Sequence, residues 1–538
     1  MILFPEGTPR SVIDRAARGP REPATDPTLG MPLPATVAAK RSGTPPHRLV
    51  VIGDSLSQGF QSFAIHNTDL SFPAIIAREL GWASSFRIPR YRSHGGLPLN
   101  LEYLLRALEE RHGATLDWWD LPLAPFTVQS WMAEVEDYWE RGPGSVTPPP
   151  APINHNLSMF GWDLRDSLEW TFDRCAGVLD ANPPSDDLLD QRVENASFRA
   201  ALRVYPRATA EQRGMTLFDA ARALGEQGDG SSESGIETLI VFLGANNALK
   251  AATKLEVRWS GEGFRRLSAK SRYTVWTPEH FREEYDQIIE RVHRINARHV
   301  ILCTVPHVTI APITNGIGGK IGPRSRYFSH YVHPWVTESS FSSKKDKHLT
   351  GADARAIDYA IDTYNDHIES TVREARANGK DWLLLDSAAI LDNVASRRFH
   401  EDPSARPQWW TGYELPGALA ALDPPLTTRF LAADGQGGRA AGGLFSLDGV
   451  HPTTVGYGIL AQEAINTMRA AGVPFRYPDG TPRNDPIHVD FNRLILRDTL
   501  VRHPPQNIGS TKDIIGWIDE ILDLTGSSIG GGVLGTQA

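Results

Sequence analysis

The chain has 538 residues, 41% of them hydrophobic and 22% charged, so it can bury a large core. Its formal net charge of −9 and isoelectric point near 6.0 come from interspersed acids and bases, leaving no basic face or lysine run to suit nucleic acid. Two cysteines, Cys175 and Cys303, are too few for a disulfide framework and read as buried reduced thiols.

Residues 1–46 are rich in Pro, Gly, Arg and Ala, and read as an arm wrapped on the body or partly disordered. The opening MILFPEGTPRSVIDRAARGP lacks the apolar core of a secretory signal. A cytoplasmic protein is therefore expected, or a secreted one if a signal peptide has been removed. No stretch of the chain is apolar for long enough to span a bilayer.

Leu49-Val50-Val51-Ile52 predicts a buried strand ended by Gly53. Asp54-Ser55-Leu56-Ser57 then turns into a helix, which puts the Ser55 hydroxyl at the carboxyl end of a strand, where open α/β sheets bind ligands. A helix is expected around FPAIIAREL, a strand ending in Asn156-Leu157-Ser158, and a helix across 163–173. Further strands are expected at 238–243 (TLIVFL), 299–306 (HVILCTVP) and in DWLLLD, with helices in PEHFREEYDQIIERVHRINA and across 353–377. Alternation of strands and helices without hairpin signals predicts a mostly parallel sheet covered on both faces. Near the far end, Asp448 and His451 stand three apart before a helical pattern whose first turn suits Pro452 and Thr453-Thr454. One short loop can thus present an imidazole while a carboxylate holds its other nitrogen, and His451 would take a proton from Ser55.

Gly-Asp-Ser-Leu at 53–56 together with Asp448-Gly-Val-His451-Pro resembles the SGNH (GDSL) hydrolase superfamily, esterase/lipase type. Two further blocks of that family have counterparts in the expected order. INHNLSMFGWDLRDSLEW resembles its second block, which makes Gly161 the oxyanion glycine. ETLIVFLGANNALKAA resembles its third, which makes Asn246 the oxyanion asparagine. The family usually has Asp after that Asn, and this chain has Asn247, a change that bears on loop geometry more than on chemistry. VPHVTIAP, at the end of the fourth strand, resembles a further block whose residues line the site.

The resemblance implies an α/β, flavodoxin-like three-layer sandwich spanning 47–472, with large insertions at about 82–150, 180–235, 311–349 and 393–443 and a C-terminal extension at 473–538. It implies a serine esterase hydrolysing carboxylic esters through an acyl-enzyme. Ser55, His451 and Asp448 form its triad, and the oxyanion donors are the Ser55 and Gly161 N–H groups and the Asn246 amide. It needs no cofactor and no metal. The expected partner is a small-molecule or lipid ester, with a homo-oligomer as an open option. The alternative is an acyltransferase using the same acyl-enzyme, and a further one is a non-catalytic binding protein on the same fold.

Other features compete for attention. Gly95-Gly96 is a rival for the glycine role, but it follows the polar run Arg-Tyr-Arg-Ser-His and suits an ordinary turn. The run Gly316-Ile-Gly318-Gly319-Lys320-Ile-Gly322 lacks the Ser/Thr and the helix of a phosphate loop and reads as a mobile loop. His330 and His333 have a spacing a metal could use but no clear third ligand nearby. Trp118, Trp119, Trp131 and Trp139 read as an aromatic mini-core of the first insertion, or as a lid or acyl wall over Ser55. STKDIIGWIDEILDLTG predicts an amphipathic helix that packs on the body.

Overall fold

A computed structural model describes residues 4–33, 43–115, 124–184, 192–228 and 235–510. The expected amphipathic helix after residue 510, and Trp118 and Trp119, lie outside these described residues.

The central strands are β1 (His47–Gly53), β2 (Asn156–Ser158), β3 (Ile236–Phe242), β4 (Ala297–Cys303) and β5 (Trp382–Leu385). They are parallel and lie in the order β5-β4-β3-β1-β2. Strands β1 and β3 are buried along their whole length, as continuous β-branched runs require of a sheet covered on both faces. Read from its other edge the order is 2-1-3-4-5, so the chain reverses direction across the sheet between β1 and β3. In such sheets the crevice for ligands opens there, at the carboxyl ends of the strands.

The helices that matter for the site are, in chain order, α1 (Arg10–Ala17), α2 (Ser55–Gln58), α3 (Phe72–Glu79), α4 (Leu164–Glu169), α5 (Ala196–Val204), α6 (Leu217–Gly225), α7 (Asn246–Lys254), α8 (Pro278–Val292), α9 (Gly351–Ala377), α10 (Ser387–Val394), α11 (Thr454–Ala470) and α12 (Phe491–Arg497). α3, α11 and α12 pack on one another, while α4, α6, α8 and α9 form a second packed group. This is an α/β architecture with helices layered against a parallel sheet. The expected helix across 163–173 is split. Trp170 is extended (φ −72°, ψ 144°), and a new helix, capped by Thr171, starts at Phe172.

The arm and the C-terminal segment both pack on this body. Arg21 makes two 2.9 Å bonds to Asp386, and Pro27 accepts a bond from Leu384 at the sheet edge. Phe475, Ile487, Val489, Phe491 and Leu494 join the main core, and Asp498 accepts the Val455 N–H at the start of α11.

Local pairing corrects two readings. Small antiparallel sheets do occur: Asn315–Lys320 pairs with Phe328–Val332, and Phe60–Gln61 with Ala64–Ile65. The glycine run at 316–322 is therefore mostly strand rather than a mobile loop. A Cβ at Gly316 would stand 2.2 Å from the Phe328 ring, so the glycine makes room for the aromatic of the partner strand.

Candidate active site

Ser55 is the first residue of α2, directly after β1, and the turn is held by Asp54, whose Oδ1 accepts the Leu56 N–H at 3.0 Å. The other Asp54 oxygen is buried without a partner, and burial pushes that carboxyl up to about 7 against the Leu56 bond and the His451 imidazole.

His451 and Asp448 arrive from the other end of the chain on the loop before α11. His451 Nε2 lies 2.8 Å from Ser55 Oγ, and His451 Nδ1 lies 3.0 Å from Asp448 Oδ2. With Nδ1 carrying its hydrogen toward Asp448, Nε2 is left to accept the serine proton. Asp448 is clamped: the N–H groups of His451 and Val450 bond its Oδ1 at 2.8 and 2.9 Å, and the Phe63 N–H bonds its Oδ2 at 3.1 Å. Burial opposes its charge, but the imidazole and these hydrogen bonds hold it below the usual carboxylate value. The triad is enclosed, with Ser55 2%, Asp448 1% and His451 0% exposed.

Part of the clamp carries backbone strain. Ser62 and Phe63 have φ of 50° and 63°, a left-handed conformation costly for side chains with a Cβ. It aims the Phe63 N–H at Asp448 and the Ser62 N–H at Ser446 Oγ, which in turn lies 3.2 Å from Asp448 Oδ1. Nothing in the letters Gln-Ser-Phe-Ala announces this.

The oxyanion candidates come from two more loops. Gly161 follows β2 with φ 76°, and Asn246 opens α7 just after β3. Asn246 Nδ2 donates to the Trp162 carbonyl at 2.8 Å, which ties these two loops together and leaves its second hydrogen uncommitted. The N–H groups of Ser55 and Gly161 donate to no acceptor among the described residues. Asn247 accepts the Leu164 N–H on its Oδ1 at 3.3 Å and the Trp276 N–H on its backbone carbonyl at 2.9 Å. The rival Gly95-Gly96 forms a tight turn against Ile65 and Asn100, where a Cβ on Gly96 would meet the Ile65 carbonyl at 2.1 Å.

Ser55, Asn246 and His451 open onto one apolar cavity of about 120 Å³. Its walls are Leu56, Pro306, Val308, the α10 residues Ile390, Leu391 and Val394, and Phe445, Ile459 and Leu460. No described residue of 82–150 lines it. Trp139 instead packs in the main core and donates to the Gly96 carbonyl, while Met132 and Val128 pack on the helix at 101–112.

A second buried histidine reaches this cavity. His307, in the VPHVTIAP loop, holds Asp392 at 3.0 Å through Nδ1 and Asp362 at 3.1 Å through Nε2. Burial works against its charge, yet Asp392, Asp358 and Asp362 together raise it to about 10. Asp392 falls to about 2 in return, while Arg398 and Arg326 complete the cluster around Asp358. The carboxylates stand 55 and 85 residues from His307, so sequence proximity gave no signal.

Among the described residues, no group of three or more His, Cys, Asp or Glu could hold a metal. His330 makes a tilted contact with Phe341 and an edge-on contact with His348, while His333 meets the Thr253 carbonyl. Cys175 and Cys303 are buried and free. No described helix is long and apolar enough to cross a membrane. No family model matches the chain, and no curated protein matches it.

Proposed function

We propose that this protein is a serine esterase of the SGNH type, hydrolysing carboxylic esters through an acyl-enzyme on Ser55. The observation that carries the reading is the continuous chain from Ser55 Oγ through His451 to Asp448, set at the switch point of a parallel sheet.

In this reading Ser55 Oγ attacks the ester carbonyl carbon as its proton passes to His451 Nε2. The carbonyl oxygen becomes an oxyanion met by the Ser55 and Gly161 N–H groups, which have no other acceptor among the described residues, and by the Asn246 amide hydrogen not given to Trp162. His451 then gives its proton to the departing alkoxide, and the alcohol leaves. Water repeats the sequence on the acyl-enzyme, losing a proton to His451 and releasing the acid. Asp448 stays ionised throughout and stabilises the imidazolium.

The cavity supports an acyl group of limited length. An apolar cavity of about 150 Å³ holds one benzene ring. By that scale the 120 Å³ beside Ser55 suits an acyl chain of about four to six carbons. The test is hydrolysis of p-nitrophenyl esters from acetate to palmitate by wild type and Ser55→Ala. The expected result is activity peaking between butyrate and hexanoate in wild type and absent from the variant. Equal activity in both proteins would overturn the nucleophile, and a peak at palmitate would overturn the acyl size.

A further inference from the structure

The buried arginines of this protein are typically matched with acids: Arg21 with Asp386, Arg165 with Glu284, Arg376 with Asp381 and Arg398 with Asp358. A group of less buried arginines, three half-buried and Arg90 exposed, has no acid partner among the described residues. Arg87, Arg90, Arg203 and Arg207 surround a groove of about 550 Å³ that no Asp or Glu lines.

The groove runs between the segment 86–90, the proline-rich stretch 143–152 and the end of α5. The hydrogen bonds of three of its arginines all go to backbone carbonyls, and the Arg203 guanidinium also lies 4.9 Å from the Trp139 ring centroid. Arg87 Nε bonds Ile153 at 2.6 Å, Arg203 Nη2 bonds Gly144 at 2.8 Å, and Arg207 Nε bonds Pro149 at 2.9 Å. These bonds fix the guanidinium groups without neutralising them and leave further N–H donors unspent, Arg87 both terminal nitrogens among them. Arg90 makes no hydrogen bond or ion pair with the described residues. Burial holds Arg87, Arg203 and Arg207 below the usual arginine value, and Arg203 adds repulsion on Arg207.

The groove is separate from the serine. The Arg87 carbonyl accepts the His155 and Asn156 N–H groups at the amino end of β2, whereas Ser55 follows the carboxyl end of the parallel neighbour β1.

We propose that this groove is a binding site for a compact polyanion, a small molecule presenting several phosphoryl or carboxylate oxygens to the four guanidinium groups. Forked guanidinium donors match both kinds of oxyanion and bind them by charge-assisted pairs. The size suits a small ligand, since such sites commonly enclose roughly 300–1,000 Å³. The net charge of −9 argues against a long polyanion, which would leave the groove and meet a surface of its own sign.

The test is titration calorimetry of the full chain with pyrophosphate and, separately, citrate, on wild type, Arg90→Gln, Arg87→Gln and Ser55→Ala. Saturable one-to-one binding is expected, weakened about tenfold or more by either arginine change and by added salt, and unaltered by Ser55→Ala. Binding of pyrophosphate alone would identify a phosphoryl ligand, and equal binding of citrate would identify a polycarboxylate or a site that reads charge. Because Arg90 has no partner in the fold to lose, Arg90→Gln keeps the thermal unfolding of wild type and isolates the ligand contact. No saturable binding of either anion, or equal binding by Arg90→Gln and wild type, would overturn the proposal.

Discussion

Two buried histidines face the same apolar cavity, and their partners make them opposites. His451 has one carboxylate on Nδ1 and a hydroxyl on Nε2, so one nitrogen remains free to exchange a proton. His307 has a carboxylate on each nitrogen, and with its proton held up to about 10 it has nothing to offer as a base at neutral pH. A second carboxylate turns a proton carrier into a fixed cation. In the proposed mechanism the first arrangement carries a proton, whereas the second neutralises buried charge behind the cavity wall.

Exchanging the two residues' fates is the strongest way to break this comparison. His451→Ala is expected to cost about 10⁶-fold in kcat on a p-nitrophenyl ester, as is Ser55→Ala, because triad members act as a unit. Its urea midpoint should move less than that of His307→Leu. Asp448→Asn should cost about 10⁴-fold, since the amide favours the wrong imidazole tautomer while keeping the shape. A near-normal kcat in either variant would put the two histidines in one class.

His307→Leu removes one cation from between two buried carboxylates, a change expected to cost about 3–5 kcal/mol in urea unfolding. His307 is raised in the folded state, so its contribution is fully present below its ordinary value of 6.5 and is lost as pH rises through about 10. Asp392 is lowered, so its contribution is present above 3.8 and is lost as pH falls through about 2. Wild type should therefore lose stability on the alkaline side with a slope that His307→Leu lacks. Parallel curves would contradict the caged imidazolium.

Smaller effects sharpen the picture on the serine side. Asn246→Ala should lower kcat about 10²–10³-fold while KM changes little, because in the proposed mechanism its amide meets charge that forms only in the transition state. Ile390→Ala widens the cavity and should raise the relative rate on esters longer than hexanoate by about tenfold, read from kcat/KM along the series.

Much of the sheet and of the surroundings of Ser55 is legible in the sequence. The β-branched runs at 49–52, 238–243 and 299–303 are continuous because both faces of the sheet are covered, and that pattern is local. Ser55, Asp448 and His451 were readable because turn and cap residues fix where each sits relative to its own strand or helix. The cage around His307 was not, since its carboxylates come from α9 and α10 and meet only after folding. Nor was the strand at 315–320, whose glycines read as a loop until Phe328 is seen lying over Gly316. The strained pair Ser62-Phe63 is invisible for the same reason: its conformation is set by Asp448 and Ser446, nearly four hundred residues away.

The most direct test of the central claim is covalent capture of the nucleophile. Wild type and His451→Ala would be treated with a fluorophosphonate, digested and mapped by mass spectrometry. A single adduct on Ser55 in wild type, greatly slowed in His451→Ala, is the predicted result. An unmodified Ser55, or labelling that proceeds equally without His451, would contradict it.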